Sequence, residues 1–114
     1  MKPADLDIAA ALKNLEGDEQ ILREVSRVFL QSTPSLLREC DQAVQAEDRE
    51  LIHRHAHSIK SASRTIGGIA LSLIAERLES AARHDSRPNV RSMVDDAHAA
   101  FDRLAALLRK DILC

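Results

Sequence analysis

Gly67-Gly68 is the sharpest break in a chain that otherwise reads as helix almost from end to end. A glycine pair ends a helix because it gives the backbone freedom, and the second glycine can take the left-handed conformation of a tight turn. On its N-terminal side lies LIHRHAHSIKSASRTIGG, Leu51–Gly68. With successive residues about 100° apart, Ile52, Ala56, Ile59, Ser63 and Ile66 fall on one side, the stripe of a helix packed on a core. A helix over about 69–84 follows the break, with Leu71, Ile74, Leu78, Ala81 and Ala82 inward. Two apolar-faced helices joined by a tight turn fold back as an antiparallel hairpin. The rest of the chain has to cover that hairpin.

The remaining segments repeat the same period. Asp5 or Asp7 can cap a short first helix carrying Leu6, Ile8, Leu12 and Leu15. Gly17-Asp18 ends it, and Asp18 is the next N-cap. A helix over about 18–32 uses Ile21, Leu22, Val25, Val28 and Phe29. Thr33-Pro34 reads as a break, with Thr33 capping a further helix over about 34–46 that uses Leu37, Cys40, Ala43 and Val44. Glu47-Asp48 is a polar link into the central helix. His84–Pro88 is a loop, because the residue before a proline is pushed out of helical geometry. The last helix, about 89–111, carries Val90, Val94, Ala97, Phe101, Leu104 and Leu108. With three Gly, three Pro, no internal repeat and no strand signal, this pattern predicts an all-α chain. The expected architecture is an antiparallel four-helix bundle with short additional N-terminal helical segments, one domain over 1–114. A chain of 114 residues can bury roughly 65% of its unfolded surface.

Composition narrows the functions. Two Phe, no Tyr, no Trp and a formal charge of −2 argue against a nucleic-acid binder, which needs stacking aromatics or a basic surface. Cys40 falls on an apolar stripe and reads as a core thiol; Cys114 is terminal. Their spacing suits neither a metal site nor a disulfide framework and fits a reducing compartment. No signal peptide and no run of about 20 apolar residues is present. The expectation is a cytoplasmic protein without direct membrane contact.

The alternating charges on these helices read as solvated outer faces, and the exception is His57. It lies roughly 140° from the centre of its helix's apolar stripe, with His53, Lys60 and Arg64 on the same outward face and Ser61 and Arg54 beside it. In the hairpin about Gly67-Gly68, residues equidistant from the turn become neighbours. That puts Glu79 or Leu78 beside His57, and Lys60 near Glu76. A carboxylate accepting from Nδ1–H would fix the imidazole tautomer and leave Nε2 with a free lone pair, which is how a nucleophilic nitrogen is prepared. Lys60 and Arg64 would offer positive charge to phosphoryl oxygens.

At these residues the sequence resembles the histidine-containing phosphotransfer (HPt) domain. The core motif of that family is His, any residue, Leu or Ile, Lys, then a small residue, with a Gly ten positions after the His. Here it reads His57-Ser58-Ile59-Lys60-Ser61, with Gly67 at the later glycine. The resemblance runs upstream through LEGDEQILREVSRVFLQSTPSLL and downstream to Leu78-Glu79, where many members have Gln or Glu bonded to the active His. It implies that His57 accepts a phosphoryl group on Nε2 from a receiver-domain aspartate and passes it to another receiver. Lys60 and Glu79 would assist, and His53, Ser61, Arg64 and Gly67 would contact the partner. It implies no ATP site, so a carrier rather than an enzyme, and no cofactor on this chain, since the receiver brings the Mg²⁺. Ser61 stands where most members have Gly or Ser. The chain would be a monomer, either a free-standing carrier or the terminal module of a hybrid sensor histidine kinase.

Other readings of the same residues are a helical interaction module in which His57 transfers nothing, and a zinc site. The i, i+4 pair His53 and His57 with Glu79 or Glu76 has the spacing for zinc but no supporting motif. His55 reads as packing, and His84 and His98 have no evident partners.

Overall fold

The computed structural model describes residues 2–114. Five helices follow one another: α1 (Ile8–Asn14), α2 (Glu19–Ala46), α3 (Arg49–Thr65), α4 (Ile69–Ala81) and α5 (Arg87–Asp111). The four long ones pack in ring order, α2 on α3, α3 on α4, α4 on α5 and α5 back on α2. Among the described residues there is no strand, and no helix is long and apolar enough to cross a membrane.

Side chains at the helix starts explain where they begin. Asp7 accepts from Ala10 N–H at 3.0 Å, Asp18 from Ile21 N–H at 3.0 Å, Asp48 from Leu51 N–H at 3.1 Å and Ser86 Oγ from Asn89 N–H at 3.3 Å. Each satisfies a donor that the helix leaves unpaired. The end of α3 is a Schellman motif: Gly67 N–H donates to Arg64 O at 3.2 Å and Gly68 N–H to Ser63 O at 2.8 Å. That motif needs the left-handed residue one position earlier than the sequence reading placed it. Gly67 has φ +78°, while Gly68 is an ordinary residue capping α4.

Two expectations for α2 need correction. Pro34 does not break the chain: one helix of 28 residues runs through it. Phe29, Thr33, Leu37, Cys40 and Val44 are all buried, spaced in unbroken helical phase across the proline. Their common core holds the helix together at the cost of one backbone bond. Ser32 Oγ, donating to Val28 O at 2.8 Å, supports the preceding turn. Second, Ile21 and Val28 are not inward; they are 45% and 59% exposed. The stripe is centred instead on Leu22, Ser26 and Phe29.

The core is otherwise aliphatic and small-residue, with Phe29 against Phe101 at 5.7 Å between ring centroids. Cys40 is buried in it. Burial first, then the nearby Asp41 and Glu39 charges, push its thiol up to about 12, so it is inert as a nucleophile. Ser26 is anomalous: its Oγ is buried without any hydrogen-bond partner. Ser26→Ala should therefore stabilise the fold by about 1 kcal/mol, by removing an unpaired polar atom and adding a better helix former. The check is a higher urea midpoint at unchanged slope; a lower midpoint would mean that the hydroxyl finds a partner in solution.

The N-terminal segment closes one end. Asp7 N–H donates to Gly67 O at 2.8 Å and Ala70 N–H to Ala4 O at 2.9 Å. Asn14 Nδ2 reaches Arg64 O at 3.1 Å, and Arg103 pairs with Asp5 at 3.2 Å. The α3–α4 turn is thus strapped between the N-terminus and α5.

Candidate functional site

The α3–α4 hairpin puts His57 and Glu79 side by side. His57 stands at the middle of α3 with its side chain 59% exposed, and its Nδ1 is 2.7 Å from Glu79 Oε2. Glu79 is held at the interface, only 16% exposed. Its other oxygen, Oε1, lies 2.6 Å from Lys60 Nζ. The Lys60 bond foremost, and the His57 bond after it, keep the Glu79 carboxyl below the ordinary glutamate range although burial acts the other way. The group is therefore an anion near neutral pH and can only accept. Nδ1 of His57 must carry the shared hydrogen, so in the neutral ring the lone pair is on Nε2, on an exposed imidazole. Acidification down through the lowered Glu79 value would discharge the carboxylate and remove both bonds.

The structure differs from the sequence reading in what Lys60 faces. It pairs with Glu79, not Glu76, because its flexible stem reaches the interfacial carboxylate and leaves its side chain only 18% exposed. Arg64 lies 4.0 Å from Glu76, both about half exposed. Ser61 is exposed on the same helix. Gly67, expected at the partner surface, is instead buried beneath Asp7. Its place in the motif follows from the turn it makes, not from contact with a partner. His53 turns its Nδ1 to the backbone carbonyl of Glu79, at 2.9 Å.

Sequence reasoning did not find the other histidine contacts. His98 Nε2 bonds both oxygens of Asp41 at 3.0 Å, and Arg91 reaches the same carboxylate at 2.6 Å, tying α5 to α2. His55, read as packing, is half-buried and lies 3.1 Å from Glu39. Arg49 donates to the carbonyls of Ala82 and Asp85 at 2.9 and 2.8 Å, satisfying the end of α4. These side chains flank apolar stripes, where a helical wheel shows only a border and not the partner across it. Among the described residues, no group of three or more His, Cys, Asp or Glu is arranged to hold a metal.

An exposed imidazole with one nitrogen committed to a carboxylate, the other free and a lysine within the same network can accept an electrophile. The comparisons agree with that chemistry. The solved structure of histidine-containing phosphotransfer protein B (HptB) from Pseudomonas aeruginosa PAO1 superposes with a TM-score of 0.86 at 22% identity. The match covers 96% of this chain and 95% of that one, and it establishes the shared fold. No curated protein matches the sequence significantly. The Hpt domain family model matches residues 24–109, which run from within α2 to within α5 and include His57, Lys60 and Glu79. The chain belongs to the Hpt domain family, the histidine phosphotransfer carriers of phosphorelays.

Proposed function

We propose that His57 is the phosphoryl-acceptor residue of this carrier, taking the group from one receiver-domain aspartate and passing it to another. The observation that carries the reading is the 2.7 Å contact between Nδ1 of an exposed histidine and an ionised, interfacial glutamate. In the step, the Nε2 lone pair attacks phosphorus and the P–O bond to the donor aspartate breaks. The aspartate leaves as a carboxylate. The positive charge created on the imidazole is spread through Nδ1–H to Glu79. The return step reverses these bonds.

Lys60 supports the same chemistry in two ways. Its bond to Glu79 holds the carboxylate in place, and its ammonium is near enough to turn toward phosphoryl oxygens when they arrive. Lys60→Ala should slow transfer by about tenfold to a hundredfold, the range for groups that orient a reacting residue. Its helicity should stay unchanged because alanine is the best helix former. A variant with wild-type transfer rates would remove Lys60 from the mechanism. His53, Ser61 and Arg64 form the rim of the face on which a receiver would dock.

The receiver supplies Mg²⁺ and most of the electrostatics, and the chain needs neither ATP nor a cofactor of its own. The working unit is a cytoplasmic monomer of one domain. Transfer from a phosphorylated receiver tests the reading. Acid-labile, alkali-stable label on the protein supports a phosphohistidine. No label from any of a panel of receivers, with the protein folded, would favour a binding module instead.

A further inference from the structure

His53 lies one turn before His57 on α3, and its half-buried ring is directed at Glu79. Nδ1 is 2.9 Å from the Glu79 backbone carbonyl. A carbonyl only accepts, so Nδ1 carries the hydrogen. That carbonyl belongs to the last turn of α4, where partners within the helix run out. The Nε2 of the same ring lies 4.0 Å from Glu79 Oε2, the oxygen that accepts from His57. One residue of α4 is thus held by His53 through its backbone and approached by His53 through its carboxylate.

We propose that His53 is a positioning residue for His57, an inference that rests on the acceptor role assigned above. With the ring neutral, Nδ1–H fixes the α4 backbone at Glu79 and sets where the carboxylate meets Nδ1 of His57. A neutral Nε2 presents a lone pair to the carboxylate and takes nothing from it. Protonated, Nε2 becomes a donor and competes with His57 for Oε2. The bond that fixes the His57 tautomer then weakens, and the share of rings with a free Nε2 lone pair falls. The charged and titratable groups around His53 are Glu50, Arg54 and His57 on α3 and Glu79 on α4, with Lys60 of α3 and Arg83, two residues past the end of α4, paired to those two carboxylates. Arg83 is bonded to Glu50 at 2.8 Å and Lys60 to Glu79 at 2.6 Å. Both carboxylates near His53 therefore already have a cation, and a protonated His53 gains its place only by sharing Oε2 with His57.

A positioning role and a place on the docking rim make different demands on the phosphoryl donor. The test uses phosphoramidate, a donor too small to contact a docking surface. Nε2 of His57 attacks its phosphorus, the P–N bond breaks and ammonia leaves. His53→Ala should slow this labelling by about tenfold, the low end for outer positioning groups. His53→Asn keeps an N–H for the Glu79 carbonyl but cannot be protonated. It should retain most of the wild-type rate. Nitrogen-15 spectra of the His57 ring give a second readout that needs no transfer. The Nδ1–H tautomer should dominate in wild type and His53→Asn, and give way to a mixture in His53→Ala. Wild-type tautomer and labelling rate in His53→Ala would overturn the proposal. So would slowing seen only with receiver donors, which would leave His53 as a docking residue. If wild type and His57→Gln label alike, the acceptor assignment fails, and the His57 ring spectra still decide whether His53 positions it.

Discussion

His57→Gln is expected to abolish phosphoryl acceptance and leave the fold intact. Glutamine has no ring nitrogen with a lone pair, so the N–P bond has no atom on which to form. The position is exposed at the middle of a capped helix, and glutamine is a good helix former. The stability change should be about 1 kcal/mol or less, mostly the lost bond to Glu79. The measurement pairs label incorporation from a phosphorylated receiver with a urea melt. A folded Gln variant that still takes up acid-labile label would move the site to another residue, His53 being the nearest imidazole.

Gly67→Ala should have the largest effect on stability, a loss of roughly 2–4 kcal/mol. Two costs add. The backbone is left-handed there, at φ +78°, which costs an L-residue about 1–2 kcal/mol. A Cβ would also run into the backbone carbonyl of Asp7, with Ala11 Cβ at 3.2 Å behind it. The N-terminal segment would have to lift, loosening the Asp7 cap and the Asp7–Gly67 bond. Against a typical total of about 5–15 kcal/mol this is a large fraction. Gly17 is a control: it has a similar φ of +77° but open space where a Cβ would go, so Gly17→Ala should incur only the backbone cost. Because Gly67 is about 15 Å along the helix from His57, folded Gly67→Ala should accept phosphate as wild type does. Equal urea midpoints for the two glycine variants would mean that the N-terminal strap does not bear on the turn.

What the sequence discloses and what it hides follow from how each interaction is encoded. Caps are local, so Asp18 was legible as a helix start from the residues beside it. The hairpin register was legible because one turn fixes it, and it brings Glu79 to His57. Pro34 misled because a local rule competes with a long-range one. The phase of Phe29, Thr33, Leu37 and Cys40 continues across it, and the core those residues share outweighs one missing backbone bond. Ile21 and Val28 misled because a wheel cannot tell which of two adjacent apolar stripes the bundle covers. Ser26, polar and buried, lies on the stripe that is covered. Lys60 took Glu79 instead of Glu76 because a long side chain chooses among several acceptors within reach, and spacing does not rank them. The His98–Asp41–Arg91 cluster joins residues fifty and fifty-seven positions apart, on helices that no single turn connects to set their register.

His57 lies mid-helix, about 12 Å along the axis from either end of α3. Among the described residues the loops lie at the ends of the helices, away from the imidazole. On the proposed reading, the phosphoryl group is held in the open between transfers, and water is excluded only while a partner covers it. The giver and the taker must also use the same patch of surface. They cannot be present together, so the carrier works by turns: one partner leaves before the next arrives. An excess of either, phosphorylated or not, would then act as a competitive inhibitor of the other, and throughput would depend on the ratio of the two partners as much as on the signal upstream.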